Sequence, residues 1–359
     1  MTGPTRGAGA SRPRALWLMR LSILSLLAGL FVVAFALPVA AAPAPPAAAA
    51  IEWKLSTALG PAYPEGKAGE IWAALLRERS DGRLRVTLFP GATLAQRDPA
   101  REFAALRDGG IDLAVGSAAA WAMQVTELNL FALPWLVPDA DALDALLQSD
   151  VAATLAARVQ AAGVVPLAWA GAGFSALATQ HPIHAPADLN GLALRASASP
   201  VLQDTLLTLR TRPAMMGAEG AQAAQRTGAL DGEVTTVAAY GISRLYAGGM
   251  THLLVWGAQA DALLFAINRK LWDGLSEADR DLVRRAAQDA AADASALARK
   301  RADTAALEAL ARQGASVTRL TASGKQPFRD ATRAVDDRWA TAVGPDLVRA
   351  AEAVVAAPR

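Results

Sequence analysis

The sequence predicts an α/β fold of two lobes joined by a hinge, with a long helix and further helices at its C-terminal end. Short apolar strands alternate with amphipathic helices, the pattern that layers helices against a sheet. The same pattern restarts near Ser175 and turns back near Leu263. The segment that carries it runs to about 310 residues, too long for one ordinary core and suited to two.

In order along the chain, Ile51–Ala58 reads as a first strand and Glu65–Arg79 as a helix with Ile71, Trp72, Leu75 and Leu76 on one face. Arg83–Leu88 alternates Leu84, Val86 and Leu88 with polar neighbours, the period of a strand, and Phe89-Pro90-Gly91 turns the chain. Ile111–Val115 and Val164–Ala170 are further strands. In the second lobe, Leu192–Ala196, Ala214–Met216 and Leu230–Val234 are strands separated by helices. Leu253–Val255 and Leu263–Ile267 lead back to the first lobe. Ser276-Glu277-Ala278-Asp279 has the form of a capping box, and the Ala-rich helix that follows meets no Gly or Pro until after Gln313. Helices over 326–343 and 345–355 close the chain. The lobes divide as 51–172 (first), 173–260 (second), 261–300 (return and long helix) and 301–359 (C-terminal helices packing on the second lobe).

The first 42 residues differ in character. Arg6, Arg12, Arg14 and Arg20 precede an apolar run, Leu21–Leu37, and small residues follow at Val39–Ala42. These are the three parts of a cleavable secretory signal peptide. The apolar run is short for a span, which takes about 20 residues, and a Pro/Ala-rich linker, 43–50, follows it. The leader holds four of the 35 basic residues and none of the 33 acidic ones, so removing it leaves 31 against 33. The basic isoelectric point of 9.1 therefore belongs to the leader and does not signal nucleic-acid binding.

Composition also narrows the chemistry. The absence of cysteine excludes disulfides, thiolate nucleophiles, Cys-ligated zinc and a cysteine-borne lipid anchor. His181-x-x-His184 lies in a Pro-flanked stretch without a third ligand, so no metal or other cofactor is expected. No Gly-x-Ser-x-Gly elbow or phosphate loop occurs, and nothing brings Glu219 and Glu233 together, so the chain is not expected to be an enzyme. A two-lobed hinge suits closure on a small molecule instead.

The most informative stretch is Pro186–Ala196. Asp188, Asn190 and Gly191 supply turn chemistry before a short strand that ends on Arg195. An Arg at a strand end can aim its planar fork into a cleft and grip a carboxylate through two hydrogen bonds. Gly228-Ala229-Leu230-Asp231-Gly232 would similarly bring Thr235 and Thr236 to a cleft edge. Trp121, Trp169, Tyr240 and Trp256 fall near the same loops, as core or as ligand platform.

Several stretches, in order, resemble the extracytoplasmic substrate-binding proteins of TRAP (tripartite ATP-independent periplasmic) transporters, the DctP family. They are Ser80-Asp81-Gly82-Arg83 with Phe89-Pro90-Gly91, Leu106–Asp112, Leu133-Pro134-Trp135-Leu136, Asp188–Arg195, Thr227–Gly232, and Leu271–Asp279 with Leu310–Gly314. The resemblance implies a two-lobe periplasmic binding-protein fold and capture of a small organic acid. Delivery to small and large integral membrane subunits and uptake driven by an ion gradient would follow. It makes Arg195 the carboxylate clamp and places Ser117, Ser175 and Thr235 at ligand contacts, with Ala58 and Ala218 offering only van der Waals surface. Many relatives carry a second Arg where this chain has Ser175. Its loss favours a monocarboxylate with a less polar body, resting on Trp169, Tyr240 or Trp256. Presentation of ligand to a sensor kinase is the alternative reading. The ATP-driven class of binder also closes two lobes, and the long helix after Ser276 argues against it.

Overall fold

In a computed structural model, residues 50–357 are described, apart from the side chains of 218, 219 and 222. The expected signal peptide and most of the 43–50 linker lie outside the described residues.

Ten strands form one hydrogen-bonded sheet with two halves, eight of them on a single path and two branching from it. In the first, β1 (Ile51–Thr57) runs parallel to β2 (Leu84–Pro90) and to β3 (Leu113–Ser117). The strand β4 (Val164–Thr179) is shared by both halves. In the second, β5 (Ala193–Ala196) runs parallel to β6 (Arg212–Met215) and to β7 (Gly232–Thr236), and β7 is antiparallel to β4. Beyond β4 lie β8 (His252–Val255), β9 (Ala260–Asn268) and β10 (Ser316–Arg319). β8 and β10 join the second half, while β9 inserts antiparallel between β3 and β4 in the first.

The alternation in the sequence is the alternation of burial. Trp53 and Leu55 enter the core from β1, and Trp72 and Leu76 from the helix Pro64–Arg79. Trp72 meets Phe265 of β9 edge-on at 5.4 Å, a geometry worth about 1 kcal/mol beyond area burial.

β4 is the largest departure from expectation. A strand ending near Ala170 is predicted because Gly171-Ala172-Gly173 reads as a break. The strand instead continues through it for 16 residues in all. Register shifts fall at Pro166/Ala168 and Gly171/Gly173, and Gly173 takes φ 102°, so the glycines make bulges rather than an end. Partners change within one residue: Phe174 pairs with Ala260 of β9, and Ser175 with Thr236 of β7. One strand thus belongs to both sheets, which gives the hinge a continuous backbone.

The helix Glu277–Lys300 packs on the first half through buried Ala286, Ala287, Ala290, Ala291 and Ala294. Small side chains let it approach closely enough for Ser295 Oγ to accept the Gly171 N–H of the bulge at 2.9 Å. Its start is as expected, with Ser276 Oγ accepting from the Asp279 N–H at 3.1 Å. It stops at Lys300, at the expected division, and Asp303 caps a second helix, Thr304–Arg312, by accepting from the Ala306 N–H. An acid that caps well breaks the apolar run as effectively as Gly or Pro.

The closing helices are Ala322–Val343 and Pro345–Ala356. They were expected on the second lobe alone. Phe328 does fill that core, beside Trp256 and Leu177, but Val348 and Ala351 of the last helix are buried in the core under the first sheet.

Candidate functional site

Parallel strands leave their C-terminal ends at one sheet edge, where loops and helix starts gather polar groups. Arg195 stands at such an end, one residue before β5 finishes. It is half-buried, and its register partner on β7 is Glu233. Burial lowers the Arg195 pKa from its usual value, and the negative charge of Glu233 opposes that. Glu233 shows the mirror image: burial raises its pKa, while Arg195 and a hydrogen bond with Thr235 hold it down. The guanidinium anchors through Nε, which donates to the Met216 carbonyl at 3.0 Å. Its Nη groups make no hydrogen bond among the described residues, so the outer fork is free for a carboxylate.

In the first half, the ends of β1 and β3 carry a second group of polar side chains. Ser117 Oγ donates to Asp261 Oδ2 at 2.6 Å and accepts from the Ala120 N–H, capping a short helix. Asp261 also receives the N–H groups of Ala119 and Ala262, yet burial still raises its pKa to about 6. After β1, the Ala58 N–H donates to Glu65 Oε1. Tyr63, two residues earlier, makes a 2.8 Å hydrogen bond with Ser243, the last residue of the helix Val237–Ser243 in the second half. The Tyr63–Ser243 contact spans the two halves on the side where Arg195 lies, and Tyr63 contributes to the field at Arg195.

The other expected residues divide into three groups. Thr236 caps the helix Val237–Ser243 by accepting from the Ala239 N–H at 3.1 Å, and Thr235 is buried beside Glu233. Ser175 lies at the point where β4 changes partner, but its hydroxyl is engaged: it donates to Gln259 Oε1 at 2.9 Å and accepts the Gln259 N–H at 3.1 Å. Gln259 in turn donates to Thr205, so Ser175 ties the two crossing segments together. The aromatic platform is not assembled. Tyr240 and Trp256 are both 0% exposed. The Tyr240 hydroxyl donates to the Met250 carbonyl, and Trp256 is held edge-on between Trp135 and Phe328. Both are core residues, because an apolar ring is worth more inside than at a wet edge. Trp169 is half-buried against Phe131, and Trp121 is buried against Phe103. Ala58 is half-buried where β1 ends.

Residues that sequence reasoning missed are Tyr63, Glu65, Glu102, Gln259 and Asp261. All but Glu65, which takes the Ala58 N–H seven positions away, act through a partner tens of residues off or more, as with Ser56 Oγ donating to Glu102 Oε1 across 46 positions. Only Glu233 carried a signal, its adjacency to the Asp231-Gly232 turn.

A bilobed sheet sharing one strand, with a free guanidinium fork at the edge between its halves, defines a solute-binding protein that holds an anion. The profile of the bacterial extracellular solute-binding proteins, family 7 (DctP), matches residues 55–342, and the chain belongs to that family. It is 26% identical over 309 residues to the C4-dicarboxylate-binding periplasmic protein DctP of Rhodobacter capsulatus, covering 84% of this chain and 90% of that one. Among solved structures, a TRAP periplasmic solute-binding protein from Ralstonia eutropha H16 with bound (S)-2-acetolactate is 43% identical. It superposes with a TM-score of 0.83 and covers 85% of this chain and 98% of that chain. A TRAP solute-binding protein from Shewanella oneidensis with bound succinate shares the fold at a TM-score of 0.79 and 22% identity, covering 85% and 99%.

Proposed function

We propose that the chain is the extracytoplasmic solute-binding subunit of a TRAP transporter, and that it captures a small monocarboxylate bearing hydroxyl or oxo groups. The single observation that carries the ligand class is the outer fork of Arg195, which makes no hydrogen bond among the described residues, while position 175 holds a serine already bonded to Gln259. One fork grips one carboxylate. A second carboxylate would need a second charged partner to offset its desolvation, and Ser175 offers none. The Ralstonia relative, with its bound 2-hydroxy-3-oxo monocarboxylate, supports the same class.

The mechanism follows from the hinge. Arg195 takes the carboxylate on the second half. The first half closes, and the Tyr63–Ser243 hydrogen bond holds the two together. The closed form then delivers ligand to the small and large integral membrane subunits, with uptake driven by an ion gradient and the protein working in the periplasm after its leader is cleaved. The site performs binding and no chemical conversion, with Arg195 as clamp and Ser117, Thr235 and Thr236 shaping the edge. The lobes divide where β4 changes partners.

Calorimetry of the chain without its first 42 residues tests the ligand class. (S)-2-Acetolactate should bind more tightly than succinate. Tighter binding of succinate would refute the monocarboxylate assignment.

A further inference from the structure

Behind the first-half wall of the cleft lies a group of carboxyls that the clamp does not use. Glu102 is 0% exposed. Its Oε1 accepts from Ser56 Oγ at 2.5 Å, but its Oε2 is sealed from solvent and has no donor. Glu65, 7% exposed, sits in the first turn of the helix Pro64–Arg79 and accepts from the Ala58 N–H. Glu65 also feels the charges of Glu102 and Asp261, and Glu102 feels that of Asp98. Asp98 itself pairs with Arg101 at 3.3 Å, so its neutralising cation is already engaged. No ion pair reaches Glu65 or Glu102 among the described residues, and no group of three or more His, Cys, Asp or Glu there is placed to hold a metal ion.

A buried carboxylate oxygen without a donor costs more than burial can return unless the group is neutral. Glu102 and Glu65 are anchored two positions apart at the end of β1, by Ser56 and by Ala58, and two buried carboxyls that close resist ionising together, so they titrate as a pair. The helix N-terminus favours an anion at Glu65, but burial outweighs it: the Glu65 pKa stands well above its ordinary value, desolvation first and Glu102 second. Burial likewise brings Glu102 to about 7, against the pull of Ser56.

We infer that Glu65 and Glu102 form a proton-binding site in the wall of the cleft, and that the protein takes up a proton there when it captures its carboxylate. The inference rests on the anionic-ligand reading above. The entering anion adds a negative charge at Arg195, whose field Tyr63, two residues before Glu65, already shares. Its charge favours the protonated pair, so by linkage the protonated pair favours the anion. One proton from water joins the pair as one carboxylate enters, and the net charge of the complex is that of the free protein.

Two measurements on the chain without its leader test this separately. Infrared spectroscopy of the ligand-free protein at about pH 6 should show a buried protonated carboxyl band that Glu65→Gln and Glu102→Gln each reduce. Absence of any such band, or its survival in both variants, overturns the proton site without reference to ligand. Calorimetry with (S)-2-acetolactate in two buffers of different ionisation enthalpy should give proton uptake at about pH 7.5, and affinity falling by up to about tenfold per pH unit above the pair's release. Zero uptake with pH-independent affinity overturns the coupling. No binding of acetolactate at any pH instead counts against the ligand reading, and the infrared result still decides the proton site. Either Gln variant, neutral at all pH, should bind with a flatter pH profile, and an unchanged slope would also refute the coupling.

Discussion

Replacing Glu102 by Gln should make the protein more stable at alkaline pH while leaving it unchanged in acid. Glu102 ionises at an ordinary value near 4.5 when unfolded and at about 7 when buried in the fold. Between those values the folded chain holds a proton that the unfolded chain has released, so stability falls as pH rises through this window. At 1.36 kcal/mol per pH unit, the full loss comes to about 3 kcal/mol and is complete by about pH 8. Gln fits the space of the protonated carboxyl, can keep the Ser56 contact, and releases no proton in either state. Denaturant unfolding of wild type and Glu102→Gln at about pH 4.5 and about pH 8 reads the difference directly. The variant should gain about 3 kcal/mol relative to wild type between the two. Glu65 and Asp261 shift in the same direction, so wild type alone should decline further; the difference between the two proteins reads Glu102 together with the relief of Glu65, whose pKa the Glu102 charge raises. Parallel pH profiles for the two proteins would show that Glu102 is ionised in the fold and would refute the reasoning.

Other perturbations separate the parts of the account. Ser175→Arg removes the Gln259 contacts and adds a second guanidinium near the cleft, so the ratio of succinate to acetolactate affinity should rise. An unchanged ratio would show that position 175 does not set the ligand class. Tyr63→Phe deletes the Ser243 hydrogen bond, and stopped-flow release of ligand should quicken about two- to tenfold, the range of one neutral bond. Release at the wild-type rate would exclude that bond from closure. Trp256→Ala empties a fully buried site between Trp135 and Phe328 and should cost about 3–5 kcal/mol in chemical denaturation. A loss below about 1 kcal/mol would place the ring outside the core.

What the sequence revealed depended on how far each signal had to reach. The place of Arg195 near the end of a short strand was legible because turn residues lie within a few positions of it, while its role as clamp came from the resemblance to relatives. The start of the long helix was legible because Ser276 and Asp279 are one turn apart. β4 was misjudged because two glycines that would end an isolated strand serve instead as bulges, held by Ser295 from a helix more than 120 residues later. The break after Lys300 carries no Gly or Pro, because a cap acts through its hydrogen bond to Ala306 and not through backbone incompatibility. Tyr240 and Trp256 were placed near the cleft by neighbourhood in sequence, whereas burial of their rings draws them inward. The closeness of Glu65 and Glu102 was invisible, since the two lie 37 positions apart and no local pattern links them. Only folding brings them into one low-dielectric space.

Calorimetric titration of (S)-2-acetolactate into wild type and Arg195→Ala tests the central claim most directly. Loss of a charge-assisted, two-bonded grip should weaken affinity by at least a few kcal/mol, a hundredfold or more, while the variant unfolds as cooperatively as wild type. Near-native affinity in Arg195→Ala would contradict the account.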